Sequence, residues 1–157
     1  MELRNALLLL AFIAVCELAG AVGSVFTLPS IATWYAALNK PPFTPPNWLF
    51  GPVWVTLYLL MGVSLYLVYR GRKGRKAGLA IGAFSAQLAL NVAWSIVFFG
   101  LHSILYGFVA IALLWLAIAV TIAASYRVSR ASAYALLPYI AWVTVAAALN
   151  LSVLMLN

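Results

Sequence analysis

The sequence predicts an all-α membrane protein, a bundle of five transmembrane helices with a structured, proline-rich first loop and almost no soluble part. Of 157 residues, 67% are hydrophobic and 7% are Asp, Glu, Lys or Arg, whereas a soluble domain carries roughly half apolar and a quarter charged residues. Apolar runs recur five times and nearly exhaust the chain, each close to the roughly 20 residues that cross a bilayer core of about 30 Å. The cations gather in short clusters between those runs. Open β structure is excluded, because unpaired backbone groups are too costly in lipid. A barrel of alternating segments of about ten residues does not fit runs twice that long.

The first helix is expected near 5–27. Arg4 before Leu7-Leu8-Leu9-Leu10 imitates a signal peptide, but the run continues past Gly23 to Phe26, interrupted only by Glu17, which reads as a retained helix. The single cysteine, Cys16, lies inside it and has no intrachain partner. Further helices are expected near 47–69, 77–99, 104–126 and 133–156, all within one domain, 1–157. The first loop, 28–46, holds Pro29, Pro41, Pro42, Pro45 and Pro46 with Trp34, Tyr35 and Phe43. It is too rich in proline for a continuous helix and too aromatic for a flexible linker. A structured lid over the outer mouth of the bundle follows, because proline lowers the entropy lost on ordering. An interfacial aromatic belt of Trp34, Tyr35 and Trp48 is the alternative.

Five crossings put Arg4, Arg70, Arg72, Lys73, Arg75, Lys76, Arg127 and Arg130 on one side and only Lys40 on the other. Positive loops stay inside, so the N-terminus is expected in the cytoplasm and the C-terminus outside if the membrane is the cell membrane. The net charge of +7 then reflects loops facing anionic lipid, and a nucleic-acid partner is discounted.

On the third helix, Gly78, Gly82 and Ala86 form a small-residue stripe, while Gln87, Asn91, Trp94 and Phe98 cluster on roughly the opposite sector. Such stripes let helices approach closely in lipid, so this one is a candidate homodimer seam. Buried amides in a span need a partner or a cavity, which makes Gln87 and Asn91 interior. Pro138, Trp142, Ala146 and Asn150 make a matching face on the fifth helix, and Trp54 and Tyr58 lie one turn apart on the second. Trp54, Trp94 and Trp142 are therefore expected to converge on one cavity, although any one tryptophan more often simply packs helices. Glu17, the only acid in a span, serves either structure or a polar ligand or proton path. His102 is formally capable of axial haem ligation, but a lone interfacial histidine is usually solvated. No metal constellation is present, and no cofactor is required.

These residues together resemble the tryptophan-rich sensory protein and translocator protein family, also called peripheral benzodiazepine receptors. The likeness runs through Trp34-Tyr35, Lys40-Pro41-Pro42-Phe43-Thr44-Pro45-Pro46-Asn47-Trp48, Pro52-Val53-Trp54, Leu57-Tyr58 and Met61-Gly62. It continues in Gln87-Leu88-Ala89-Leu90-Asn91-Val92-Ala93-Trp94, Phe98-Phe99-Gly100, Pro138-Tyr139-Ile140-Ala141-Trp142 and Leu149-Asn150, in order along nearly the whole chain.

The resemblance implies a five-helix fold, often dimeric through the third helix, whose cavity opens toward the first loop and takes tetrapyrroles such as protoporphyrin IX and haem. It assigns Trp54, Trp142, Gln87, Asn91 and Asn150 to the pocket, with Trp34 and the prolines closing the lid. Where mammalian relatives carry another pocket tryptophan, this chain has Tyr106, and drug-like ligands are expected to bind differently. The end of the fifth helix, Leu149 to Asn157, lacks the tyrosine and arginine of the sterol motif of animal relatives, which weakens the case for sterol. Apolar slots with stacking rings and a few polar groups suit a flat macrocycle, with Lys40 near the mouth for a propionate. Two other functions stay open: light-dependent porphyrin degradation, with Trp54 and Trp142 as candidate residues, and transport. No nucleophile or acid/base pair supports conventional catalysis, and an odd five-helix chain lacks the internal duplication usual in transporters.

Overall fold

The computed structural model describes residues 3–71 and 74–157. Arg72 and Lys73, two members of the cationic second loop, lie outside the described residues. The chain forms α1 (Leu3–Ile31), the single-turn α2 (Trp34–Ala37), α3 (Asn47–Arg70), α4 (Arg75–Ser95), α5 (Ile104–Tyr126), the short α6 (Arg130–Ala135) and α7 (Leu137–Leu156). A π-helical segment, Ile96–Gly100, extends α4, and α6 leads directly into α7. Among the described residues, five helical stretches are long and apolar enough to span a bilayer: Leu3–Ile31, Asn47–Arg70, Arg75–Gly100, Ile104–Tyr126 and Arg130–Leu156. The protein is a multi-pass integral membrane protein.

The spans differ from the sequence expectation mainly at two ends. α1 runs on through Leu28 and Pro29 to Ile31, so the first loop is shorter than 28–46. Proline in the last turn removes only one backbone donor, and the buried Ser30 hydroxyl anchors that turn by donating to the Phe99 carbonyl at 2.7 Å. The fifth span starts early, at Arg130, where the Ser129 hydroxyl caps α6 by accepting from the Ser132 amide.

Around the bundle α1 packs against α3 and α4, α4 against α5, and α5 against α7, while α6 closes the ring by packing on α3 and α5. Apolar side chains gain little by leaving lipid for one another, so close packing and interhelical hydrogen bonds hold the ring together. Glycine provides the approach: a Cβ on Gly62 would fall on the Ile13 backbone of α1, and one on Gly107 would collide with the Phe98 ring. The Ser64 and Ser132 hydroxyls lie 2.8 Å apart, and Ser132 also donates to the Ser64 carbonyl at 3.0 Å, joining α3 to α6. Trp115 reaches from α5 to Thr144 of α7 at 2.9 Å.

The first loop is fastened at both ends. Lys40 Nζ donates to the carbonyls of Tyr35, Ala36 and Leu38 at 2.8, 3.1 and 2.8 Å, satisfying orphan acceptors of the single-turn α2. The Asn39 amide donates to Asn157 Oδ1, and Asn157 Nδ2 returns a bond to the Asn39 carbonyl, each at 3.0 Å. Trp34 stacks on His102 with centroids 4.7 Å apart, and its ring meets Phe98 edge-on. Tyr35 is buried against Phe98 and Phe99, and burial holds its phenol above the ordinary value, hence neutral.

Candidate functional site

A cavity of about 330 Å³ lies between α1, α3 and the α4 span. α1 supplies Glu17, Gly20, Ser24, Thr27 and Ile31 at spacings of three and four, which puts them on one helical face. α3 supplies Phe50, Gly51, Trp54, Val55 and Tyr58, and the α4 span supplies Asn91, Trp94, Ser95 and Phe99. Leu28, Gly51 and Val55 belong to the wall and are exposed. The mouth therefore opens on the side of the bundle, between α1 and α3. The volume is at the small end of ligand pockets, which run from about 300 to 1,000 Å³.

Aromatic rings form the inner wall. Trp54 lies 6.0 Å from Trp94 and 5.7 Å from Tyr58, centroid to centroid, and Trp94 stacks on Phe98 at 6.1 Å. The π-helical segment explains how neighbouring residues serve this wall together. Its extra residue per turn, seen in the Leu101 amide donating to the Ile96 carbonyl at 2.8 Å, widens the inward sector until Trp94, Ser95, Phe98 and Phe99 are all buried.

Behind the rings runs a polar chain. Tyr58 Oη donates to Asn91 Oδ1 at 2.5 Å, and Asn91 Nδ2 donates to Tyr139 Oη at 2.8 Å. Trp94 Nε1 donates to Asn150 Oδ1 at 3.3 Å, while Asn150 Nδ2 bonds the Ala146 carbonyl of its own helix. The amides expected to be interior are interior, and each bonds to another span, Gln87 only through a weak bond to sulfur. Gln87 is fully buried, its Nε2 lies 3.8 Å from the Met61 sulfur, and its Oε1 has no partner.

Of the nine residues expected around a ligand, the cavity brings together Trp54, Tyr58, Asn91 and Trp94. Asn150 sits one layer behind, holding Trp94. Gln87 is not in the cavity lining and packs against α3. Trp34 covers Phe98 and His102 at the end of the bundle and does not line the cavity either. Tyr106 departs most: it begins α5 with 68% of its surface exposed, because Gly107, Ile111 and Leu114 take that helix's inward face. Lys40, expected to be free for a propionate, spends its ammonium on three loop carbonyls.

Trp142 corrects the expected convergence. It lies in a second, shallower groove of about 570 Å³ between α3 and α7, with Pro52, Val53, Leu60 and Pro138. Phe50 stands between the two hollows, 5.8 Å from Trp142 and on the wall of the first. Trp142 Nε1 is buried without a partner. Glu17 borders the cavity, whereas His102 contacts Trp34 and lies 3.3 Å from the Ser30 hydroxyl. No group of three metal-ligating side chains occurs among the described residues.

Comparison with known proteins fits this architecture. The sequence profile of the TspO/MBR family matches residues 12–156. The chain belongs to the TspO/MBR family. It is 45% identical over 153 residues to the tryptophan-rich protein TspO of Archaeoglobus fulgidus, covering 98% of this chain and 99% of that protein. The human translocator protein is 43% identical over 131 residues, covering 82% of this chain and 78% of the relative. A tryptophan-rich sensory protein of Cereibacter sphaeroides is 33% identical over 150 residues, with 96% and 91% covered. The chain is thus a TspO/MBR membrane protein of the sensor and translocator type, and its first helix adds Gly20, Gly23, Ser24 and Thr27 to the site. The sequence signal for that face was the small-residue series continuing from Glu17 at helical spacing.

Proposed function

We propose that this TspO/MBR protein is a receptor that takes flat hydrophobic ligands, tetrapyrroles such as protoporphyrin IX and haem foremost, from the surrounding lipid into the α1/α3/α4 cavity. The observation that carries the reading is the lateral mouth at Leu28, Gly51 and Val55 leading to the Trp54, Trp94 and Phe99 wall. A macrocycle dissolved in the bilayer reaches stacking rings without crossing water, and its propionate edge stays at the mouth, away from the Glu17 carboxylate. Binding is coupled to a second copy of the chain through the third span, where Gly78, Gly82 and Ala86 lie exposed and a Cβ at Gly78 or Gly82 would meet nothing within 4 Å. The distribution of arginine and lysine supports a cytoplasmic N-terminus in this reading, which calls for no cofactor.

The test is a titration of protoporphyrin IX into protein held in lipid nanodiscs, read by absorbance and by quenching of tryptophan emission. Saturable, stoichiometric binding is expected in the wild type. Gly51→Trp, which places an indole in open space at the mouth, is expected to weaken it at least about tenfold, the loss of several stacking contacts. Unchanged affinity in that variant removes the cavity from consideration. Binding in darkness without loss of the porphyrin spectrum in light supports a receptor, and light-dependent product formation supports the degradative alternative.

A further inference from the structure

The polar lining of the α1/α3/α4 cavity is unbalanced. Most of its hydrogen-bond donors are spent on the protein: Tyr58 on Asn91, Asn91 on Tyr139, Trp94 on Asn150, Ser24 on the Ala21 carbonyl and Thr27 on the Gly23 carbonyl, and Trp54 Nε1 and the Ser95 hydroxyl are the lining donors outside these pairings. The Glu17 carboxylate receives no hydrogen bond and no ion pair from any described residue. Lys40 is held by three loop carbonyls. The described arginines and Lys76 stand at the opposite ends of the spans, at the start of α1, α4 and α6 and the close of α3 and α5. Glu17 lies roughly 21 Å along α1 from Ile31 at 1.5 Å per residue, near the middle of the span. An ionisable side chain at that depth is expensive, and a partner offsets its cost.

We propose that the missing partner comes with a ligand, and that the deep end of the cavity is a site for a lipophilic amine. Its protonated head bonds to Glu17 while its apolar body lies against Trp54, Trp94 and Phe99. The ionised Glu17 carboxylate offers only acceptor positions, and a charge-assisted N–H···O bond is the strongest contact it makes. The inference concerns the cavity of the tetrapyrrole reading but a different ligand class, so either fails without the other.

The experiment uses the whole protein in phosphatidylcholine nanodiscs and two probes sharing one flat body, 1-pyrenemethylamine and 1-pyrenemethanol. Affinities are read from pyrene emission excited through tryptophan and corrected with empty nanodiscs. The amine is expected to bind about tenfold or more tighter than the alcohol in the wild type, the size of a hydrogen bond to a charged group. That ratio is expected to fall to near one in Glu17→Gln and to survive at several-fold in Glu17→Asp. Equal affinities in the wild type overturn the proposal, and so does a preference that persists in Glu17→Gln. Protoporphyrin IX titrated in parallel separates the two readings: loss of porphyrin binding with the amine ratio intact ends only the tetrapyrrole assignment. Equal wild-type affinities overturn the proposal even if Glu17→Gln fails to fold, and Glu17→Asp then supplies the second reading at that position.

Discussion

Tyr58 and Asn91 face each other across the α3/α4 boundary, with the tyrosine hydroxyl donating to the amide oxygen at 2.5 Å, and the same amide donates onward to Tyr139 of α7. One asparagine thereby satisfies hydroxyls from two other spans. Asn91→Ala removes both bonds and strands two phenols, whereas Tyr58→Phe removes one bond and leaves no orphan hydroxyl. Unfolding in mixed detergent is expected to place Asn91→Ala about 1–3 kcal/mol below wild type and Tyr58→Phe about 1 kcal/mol below. The double variant should fall short of the sum by about 0.6–1.7 kcal/mol, the range of interhelical bonds in lipid. Strict additivity would show that the two side chains do not share an interaction.

The α1/α3 crossing depends on one missing methyl group. A Cβ at Gly62 would strike the Ile13 backbone, which has no rotamer to yield, so Gly62→Ala must push two spans apart. A cost of about 1–3 kcal/mol is expected, read as a lower thermal midpoint in detergent. Gly78→Ala is the matched control, since its Cβ meets nothing within 4 Å. Alanine there should be neutral or slightly stabilising in a helix. Equal losses at both positions would contradict the crossing.

The spans were legible because lipid imposes a crude code of length and hydropathy, and the inward face of α4 followed from helical spacing of Gln87, Asn91, Trp94 and Phe98. The π-helical segment was not legible, because Ile96-Val97-Phe98-Phe99-Gly100 is apolar throughout and carries no period to distinguish it. Nor did spacing reveal that Trp54 and Trp142 serve different hollows. A helical wheel gives the direction a side chain leaves its own helix, not which neighbour it meets, and here Phe50 intervenes. The tether of Asn39 to Asn157 joins residues 118 apart, a contact only the closed ring of helices creates.

The exposed stripe of α4 predicts a change in assembly. Gly82→Leu adds a branched side chain where the third span offers a flat surface, so a close helix pair can no longer form. Crosslinking in bilayers is expected to yield dimers of the wild type and monomers of the variant, with the helical content unchanged because no intrachain contact lies at that position. A variant that remains dimeric places the contact between copies on another face.

Trp54 and Trp142 allow the two hollows to be told apart. Trp54 is on the wall of the α1/α3/α4 cavity, and Trp142 is in the α3/α7 groove beyond Phe50. A ligand seated in the cavity stacks on the first ring and does not touch the second. Trp54→Ala is therefore expected to weaken protoporphyrin IX about tenfold, as loss of a large aromatic contact does. Trp142→Phe should leave the affinity within about threefold, since the ring it keeps still packs on Phe50. Any loss of the porphyrin spectrum under illumination should follow the same order, because the bound macrocycle meets only the cavity indoles. The reverse order, with Trp142 dominant in both assays, would move the ligand to the α3/α7 groove, where the buried, unpartnered Trp142 Nε1 would become its polar contact.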